Sequence, residues 1–335
     1  MRIVVCVKHV PDMQSERRFE GGRLVRGEDD VLNELDENAI EAAVQLKESE
    51  EDAGREVEVV ALTMGPEDAE DSLMRALQMG VDRAYIVSDE FLEGSDVITT
   101  ASVLSVAIAK IAQECGPVDL VLTGMASLDA MTSMLPAALA AKAHMPLLGL
   151  ARSLSVENGT VTIERAVDGY TETVRAALPA VVSVTDQINE PRYPAFAAMK
   201  AARKKPLDQW GIDDLVEVPG GEALVMRRAL TAVTHGEENV RDGSGTIIQD
   251  AGEGGRALAD YILSVVKGHD TADEFPDPRS GRPGRRAPDA PGPSGGHAGR
   301  VPDLRGRRRP VPGRHPRRGC AVRAGRDPAA ARRPG

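Results

Sequence analysis

The sequence predicts an α/β protein, a doubly wound and mostly parallel sheet with an antiparallel β addition and a C-terminal arm. Three observations predict it. Short, nearly continuous apolar runs such as "RIVVCV" and "VDLVLTG" have the character of strands buried on both faces. Between them lie stretches of helical apolar spacing, several closed by glycine. After His144 the pattern changes to short alternating runs broken by Asn158-Gly159 and Asp168-Gly169, both favoured two-residue hairpin turns.

Taken in order, "RIVVCVKHVPD" is a first strand that ends in a Pro-Asp loop. "LNELDENAIEAAVQLKESE" follows as a helix, with Leu35, Ile40, Val44 and Leu46 at helical spacing and Asn33 and Asp36 available as caps. "REVEVVALTMGP" is the second strand, "EDAEDSLMRALQMG" a helix closed by Gly80, and "DRAYIVS" the third strand. "DVITTASVLSVAIAKIAQECG" is a long helix closed by Gly116, "VDLVLTG" the fourth strand, and "MLPAALAAKAHM" a further helix. This alternation specifies parallel strands joined by right-handed crossovers. The hairpins after His144 are expected to extend the same sheet, with "AVVSVT" returning to its buried part. "LDQWGIDDLVEV" reads as amphipathic or irregular, and "RALADYILSVVKG" as a last helix.

Composition narrows the function. The chain has 335 residues, a formal net charge of −11 and only 3% aromatic residues, so its core is built from aliphatic side chains and Met. Nothing at the start resembles a signal peptide, and no run approaches the apolar length of a membrane span, so a cytoplasmic protein is expected. Cys6, Cys115 and Cys320 are far apart without metal-ligand spacing, which fits reduced thiols. From Thr271 onward the chain is dense in Arg, Pro, Gly and Ala and lacks Lys, Asn, Gln, Ile, Met, Tyr and Trp. No periodicity there could bury a face, and we read it as disordered. Its roughly ten excess positive charges suit a basic arm for nucleic acid or acidic partners. The same vocabulary is what out-of-frame translation of GC-rich coding sequence produces, and no chemistry is assigned to it.

In an open parallel sheet, ligands bind outside the carboxyl ends of the strands. Three loops qualify: Cys6, Val7 and Lys8 after the first strand, Met64-Gly65-Pro66 after the second, and "GMASLDAMTS" after the fourth. The last places Gly124 directly after an apolar strand, with small and hydroxyl residues before a helix, so backbone N–H groups could cradle a phosphate. Asn33 could face the same crevice. Each feature also has a plainer reading, a turn glycine or a solvated lysine, but their recurrence at successive strand ends points to an adenine nucleotide. GxGxxG after the first strand and GxxxxGK[ST] are both missing. No nucleophile-base-acid set emerges, since His9, His144, His235 and His269 are scattered and read as surface or capping residues.

Several segments together resemble the small (beta) subunit of electron-transfer flavoprotein. The likeness covers about residues 1 to 266 and rests on "VVCVKHVPD", "LNELDENAIEAAVQLKE", "ALTMGPEDAEDSLMRALQMGVDRAYIV", "DLVLTGMASLD", "LPAVVSVTDQINEPRYP" and "ARKKPLDQW" in this order. The resemblance implies a fold like that of the adenine-nucleotide alpha-hydrolases and a heterodimer with a larger alpha subunit that holds FAD, while the beta subunit buries a structural AMP. Onto the AMP positions fall Cys6, Asn33, Glu34, Leu35, Asp36 and Met64. The loop contributes Gly124, Met125, Ala126, Ser127, Leu128 and Asp129, then Ala130, Met131, Thr132, Ser133, Met134 and Leu135. Some relatives bind a second FAD in place of AMP, and Ala130-Met131 departs from the acidic or Asp-Gly residues many carry there, so both ligands stay open.

The resemblance also implies partners. Arg165 falls where the beta subunit approaches the flavin and the alpha subunit, and Met13 at a position near the flavin. "NEPRYP" introduces a recognition loop on which Phe196 stands at the anchor position for an acyl-CoA dehydrogenase-type donor. Tyr193 and Met199 accompany it, and Lys200, Arg203, Lys204 and Lys205 would steer association. Electrons would pass onward to a quinone reductase, with no bond-making catalysis, no direct nucleic-acid binding and no membrane insertion. The expected organisation is a nucleotide-binding domain over 1–188, a recognition loop over 189–206, an arm over 207–270 that contacts the alpha subunit, and the tail over 271–335. The alternative is an adenine-nucleotide-dependent enzyme or stress sensor on a similar sheet.

Overall fold

In the computed structural model, residues 1–21, 23–27, 29–224, 229–235 and 250–269 are described. The chain divides into two units, Met1–Gly243 and Ser244–Gly335. The expected tail from residue 271, with Cys320, lies outside the described residues.

The first unit opens with β1 (Arg2–Cys6), the ribbon strand β2 (His9–Pro11), a two-residue hairpin of β3 (Phe19–Glu20) and β4 (Arg23–Leu24), and β5 (Asp30–Leu32). Strand β5 pairs antiparallel with β2, so residues 9 to 32 form an excursion that returns the chain to the end of β1. Helix α1 (Glu34–Asp52), β6 (Glu58–Met64), α2 (Glu70–Met79), β7 (Arg83–Val87), α3 (Val97–Cys115), β8 (Leu120–Gly124) and α4 (Leu135–Ala143) follow in the alternation read from the sequence. The remaining elements are β9 (Leu147–Ala151), β10 (Ser153–Glu157), β11 (Thr160–Val167), β12 (Tyr170–Ala177), β13 (Ala180–Val184), α5 (Phe196–Ala202), β14 (Leu207–Trp210) and α6 (Ile212–Val216).

Seven strands form one parallel sheet in the order β14-β7-β6-β1-β8-β13-β9. Its two faces explain why the apolar runs were continuous: alternate residues of β1 enter different cores. Ile3 and Val5 pack with Ile40, Val44, Leu73 and Leu77 of α1 and α2. Val4 and Cys6 pack with Leu104, Ile108 and Leu139 of α3 and α4. Helix α3 starts on Asp96, whose carboxylate accepts from Thr99 N at 2.9 Å, and ends at Gly116 with φ 100°. By length and composition α3 could cross a bilayer, contrary to the sequence reading that no segment approaches this. Half of that window is buried in the fold, the position of a core helix.

Two expectations are corrected here. The hairpins β10, β11 and β12 do not extend the main sheet but form a separate three-stranded sheet. Their Asn158-Gly159 and Asp168-Gly169 turns have positive φ at every residue, as a tight hairpin requires. Val161 and Ile163 turn inward from β11 into the core shared with α1 and the main sheet, and Leu154, Val156, Val174 and Ala176 of the flanking strands pack against it half-buried. "LDQW" is an edge strand, with Trp210 buried and stacked on Tyr85 at 4.2 Å between ring centroids.

In the second unit, the expected last helix is α7 (Gly254–His269), with Leu258, Tyr261, Ile262 and Leu263 exposed.

Candidate functional site

The strand order reverses direction between β1 and β8: α1 carries the chain to β6 on one side, and α3 brings it back to β8 on the other. A crevice opens at the carboxyl ends of strands flanking such a switch point. Here those ends are Cys6 to Lys8 and Gly124.

Helix α1 closes the crevice from one side. Asn33 stands at its N-cap position and is fully buried, yet its side chain makes no cap bond. Instead the amide spans the crevice: Nδ2 donates to Ala126 O at 2.9 Å and Oδ1 accepts from Leu128 N at 3.0 Å. The sequence reading of Asn33 and Asp36 as caps is thereby corrected. Asp36 accepts from Lys8 N at 2.9 Å and from Gly124 N at 3.2 Å, which ties α1 to both strand ends. Burial pushes its carboxyl up to about 7, against the opposing hydrogen bonds. Gly124 is obligatory because a Cβ there would lie 2.6 Å from Leu35 O. Glu34 is exposed in the first turn, and Leu35 and Met64 are half-buried at the rim.

The loop after β8 carries most of the predicted residues. Ser127 O accepts from Ala130 N and Met131 N, curling the chain tightly after Leu128. Met131 and Ser133 then adopt φ of 49° and 52°, and residues 130 to 134 are exposed. Leu135 begins α4, whose first turn contains Pro136 and has no side-chain cap. Met125 is half-buried and Ala126 buried beneath this loop, with Thr132 at its exposed tip.

Asp129 is the electrostatic centre. Its side chain is 1% exposed, Lys8 Nζ donates to both of its oxygens at 3.0 and 2.8 Å, and Arg26 pairs with it as well. Burial alone would raise this carboxyl, but the two cations hold it down to about 2. Arg17 adds a bond from Nη1 to Leu128 O at 3.0 Å. Two cations on one carboxylate leave a positive balance beside uncapped backbone N–H groups, a setting suited to an anion. Arg17 and Arg26 were missed by sequence reasoning; they lie in the excursion between β2 and β5, and only the fold brings them to a loop a hundred residues away. Burial, reinforced by Asp36, pushes the Cys6 thiol up to about 12, which disfavours the thiolate that a nucleophile needs. His9 is not a surface histidine either: it is buried, with Nδ1 2.8 Å from Ser72 Oγ.

The second group of predicted residues lies elsewhere. Arg165 on β11 pairs across the hairpin with Glu172, Nε to Oε2 2.8 Å. Tyr193 and Phe196 are 87% and 80% exposed, in a chain otherwise poor in aromatics, and Met199 is half-buried on α5. Lys200, Arg203 and Lys204 are exposed around them. Lys205 differs, because its ammonium turns inward to Leu77 O at 3.0 Å and to Val81 O at 2.5 Å behind the end of α2. Met13 is 54% exposed on the excursion.

With this geometry in place, comparison with known proteins is direct. The electron transfer flavoprotein domain model matches residues 22–215. The electron transfer flavoprotein subunit beta of Mycobacterium tuberculosis is 36% identical over 272 residues, spanning 78% of this chain and 97% of its own length. The caffeyl-CoA reductase-Etf complex subunit CarD of Acetobacterium woodii is 31% identical over 270 residues, spanning 80% and 98%. Protein FixA of Bradyrhizobium diazoefficiens is 31% identical over 275 residues, spanning 78% and 91%. Matches of this extent run through the crevice, the hairpin sheet and the exposed segment alike, and the chain belongs to the electron transfer flavoprotein family as a beta-type subunit.

Proposed function

We propose that this chain is the small subunit of a heterodimeric electron carrier, holding AMP in the crevice between β1 and β8 and helping to enclose the FAD of a larger alpha subunit. The observation that carries the nucleotide reading is the stapled loop. Asn33 and Asp36 fix Ala126, Leu128 and Gly124 from the start of α1, and Lys8 and Arg26 bring positive charge to the same loop. These groups suit a monophosphate: backbone N–H groups at the uncapped start of α4, flanking cations, and an apolar rim of Met64 and Leu35 for an adenine. Bound there, AMP would supply structure rather than redox chemistry, and FAD would supply the electron-accepting ring.

The chain's own contribution is positioning. Residues 1–188 form the nucleotide-binding domain in this reading, 189–206 dock an acyl-CoA dehydrogenase-type donor through Phe196, 207–270 contact the alpha subunit, and 271–335 are an appended tail. Arg165 and Met13 face the flavin side. Electrons leave toward a quinone reductase, in the cytoplasm, without bond-making catalysis by this subunit. The test is to co-express the full chain with a candidate alpha subunit, denature the purified complex and chromatograph the released nucleotides. One FAD and one AMP per heterodimer is the expected result. Two FADs would replace AMP by a second flavin, and a complex without nucleotide would overturn the reading.

A further inference from the structure

The face of α1 away from the strand ends carries a feature that its place in the core does not require. Asn38, Glu41, Gln45 and Glu48 follow one another at helical steps of three and four, so they share one stripe. Asn38 and Glu41 are 6% and 3% exposed. Buried polar groups on a core helix are costly unless each finds a partner. Here the partners come from one short segment of chain about 150 positions away.

Asn38 and Asn189 bind reciprocally. Asn38 Nδ2 donates to Asn189 O at 3.0 Å, and Asn189 Nδ2 donates to Asn38 O at 3.0 Å. Three residues further on, Arg192 lays its guanidinium between two glutamates. Nε and Nη2 donate to Glu41 at 2.8 and 3.1 Å, and Nη1 and Nη2 to Glu48 at 2.6 and 2.9 Å. The Arg192 backbone N–H also donates to Glu41 at 3.2 Å, and Gln45 Nε2 fixes the other Glu41 oxygen at 2.7 Å. A fork that is bidentate to two carboxylates fixes orientation as well as distance, which a lysine could not do. Tyr193, next in sequence, lies under the Arg75 guanidinium at 5.3 Å, and Phe196 opens α5 three residues later.

We propose that Arg192 is a positioning residue: forked between Glu41 and Glu48, it pins the segment beginning at Asn189 to α1 and so sets how Phe196 is presented to its partner. The proposal rests on the docking role given above to residues 189–206. It also makes α1 a common support, since the same helix holds the strand-end loop through Asn33 and Asp36. Presentation of an exposed anchor on a held loop lowers the ordering cost of association.

The experiment uses the full chain co-purified with an alpha subunit, as parent, Arg192→Met, Arg192→Lys, Glu41→Gln, the double variant Arg192→Met/Glu41→Gln, and Phe196→Ala. Hydrogen exchange of residues 189–196 reports the pin directly, and turnover with an acyl-CoA dehydrogenase, with the carrier varied, separates KM from kcat. Arg192→Met is expected to speed exchange and to raise KM about tenfold with kcat within about twofold. Arg192→Lys is expected to fall between it and the parent, and the double variant to be no worse than the worse single variant. Unchanged exchange in Arg192→Met would overturn the pin. A raised KM in Phe196→Ala beside an unchanged KM in Arg192→Met would overturn positioning while leaving the docking role intact. If Phe196→Ala leaves KM unchanged, the docking role itself falls, and exchange still decides whether Arg192 holds the segment.

Discussion

Gly124 and Asp36 approach so closely that a Cβ on the glycine would stand 2.5 Å from Asp36 Oδ1. The contact joins the end of the fourth sequence-predicted strand to the first helix; the sequence points to Gly124 by its position after a strand and to Asp36 by its place in the first turn of a helix. Gly124→Ala cannot be absorbed by a flexible side chain, because the nearby Leu35 O is backbone. Overpacking at such a site is expected to lower stability by about 1–3 kcal/mol. Urea unfolding of the variant checks this, and its nucleotide content after purification should fall in parallel; unchanged stability would show that α1 can retreat from the strand end.

Asn33→Ala probes the staple across the same crevice. The variant leaves Ala126 C=O without its partner in a buried setting and Leu128 N–H without its partner in a half-buried one. Leaving such groups unpaired costs about 1–3 kcal/mol each. The effect should be local as well as global: limited proteolysis is expected to begin within residues 126–134, where the parent resists. An intact loop at equal protease exposure would assign the hold on this loop to Asp129 instead.

Asp129 gives the site a pH dependence of definite sign. Its folded carboxyl is held at about 2, against 3.8 for the ordinary group: burial works the other way, and Lys8 and Arg26 prevail. A lowered folded value means that the stabilisation is complete above 3.8 and is lost as pH falls through 2. Linkage puts it at about 2 kcal/mol at neutral pH, about half of it gone by pH 3. Asp129→Asn should therefore cost about 2 kcal/mol at pH 7, with the gap to the parent narrowing steadily between pH 5 and 3. A gap that stays constant with pH would mean that the carboxylate's charge contributes nothing.

Much of this was legible before the fold was known. Val5 and Leu122 lie in runs that only a strand covered on both faces explains, and the glycines at 80, 116 and 124 mark real element ends. What escaped was tertiary in origin. In β14 only Trp210 is buried and Leu207 half-buried, so four residues gave no period to read. Asn33 looked like a cap because position and residue type suited one, but its amide serves a loop that sequence distance hides. Arg17 and Arg26 carry no pattern at all, since their meaning depends on the excursion folding back over Asp129. The hairpins were recognised by their turns, whereas turn chemistry is silent on which sheet a hairpin joins.

Phe196 should be dispensable for folding and not for docking. At 80% exposure it buries little apolar surface, so Phe196→Ala is expected to change stability by less than about 0.5 kcal/mol. Electron acceptance from an acyl-CoA dehydrogenase should slow about tenfold or more, with bound flavin unchanged, as for a buried interface anchor. Loss of flavin, or an unchanged rate, would remove Phe196 from the interface.

The four cations after Phe196 separate into two roles. Lys200, Arg203 and Lys204 are exposed, and exposed charge acts on association over a Debye length. Lys205 instead donates to the carbonyls of Leu77 and Val81, where the end of α2 carries its negative pole, and burial lowers the pKa of the ammonium. Lys205→Met should thus cost about 1 kcal/mol of stability and leave the salt dependence of donor association as it is. Replacing Lys200, Arg203 and Lys204 together by alanine should do the reverse, leaving stability within about 1 kcal/mol while slowing association and flattening its response to salt. Stopped-flow association at several ionic strengths, beside urea unfolding of both variants, distinguishes the roles. Equal salt slopes in the two variants would return Lys205 to the steering group, because an ammonium turned inward onto backbone carbonyls is set back from any partner.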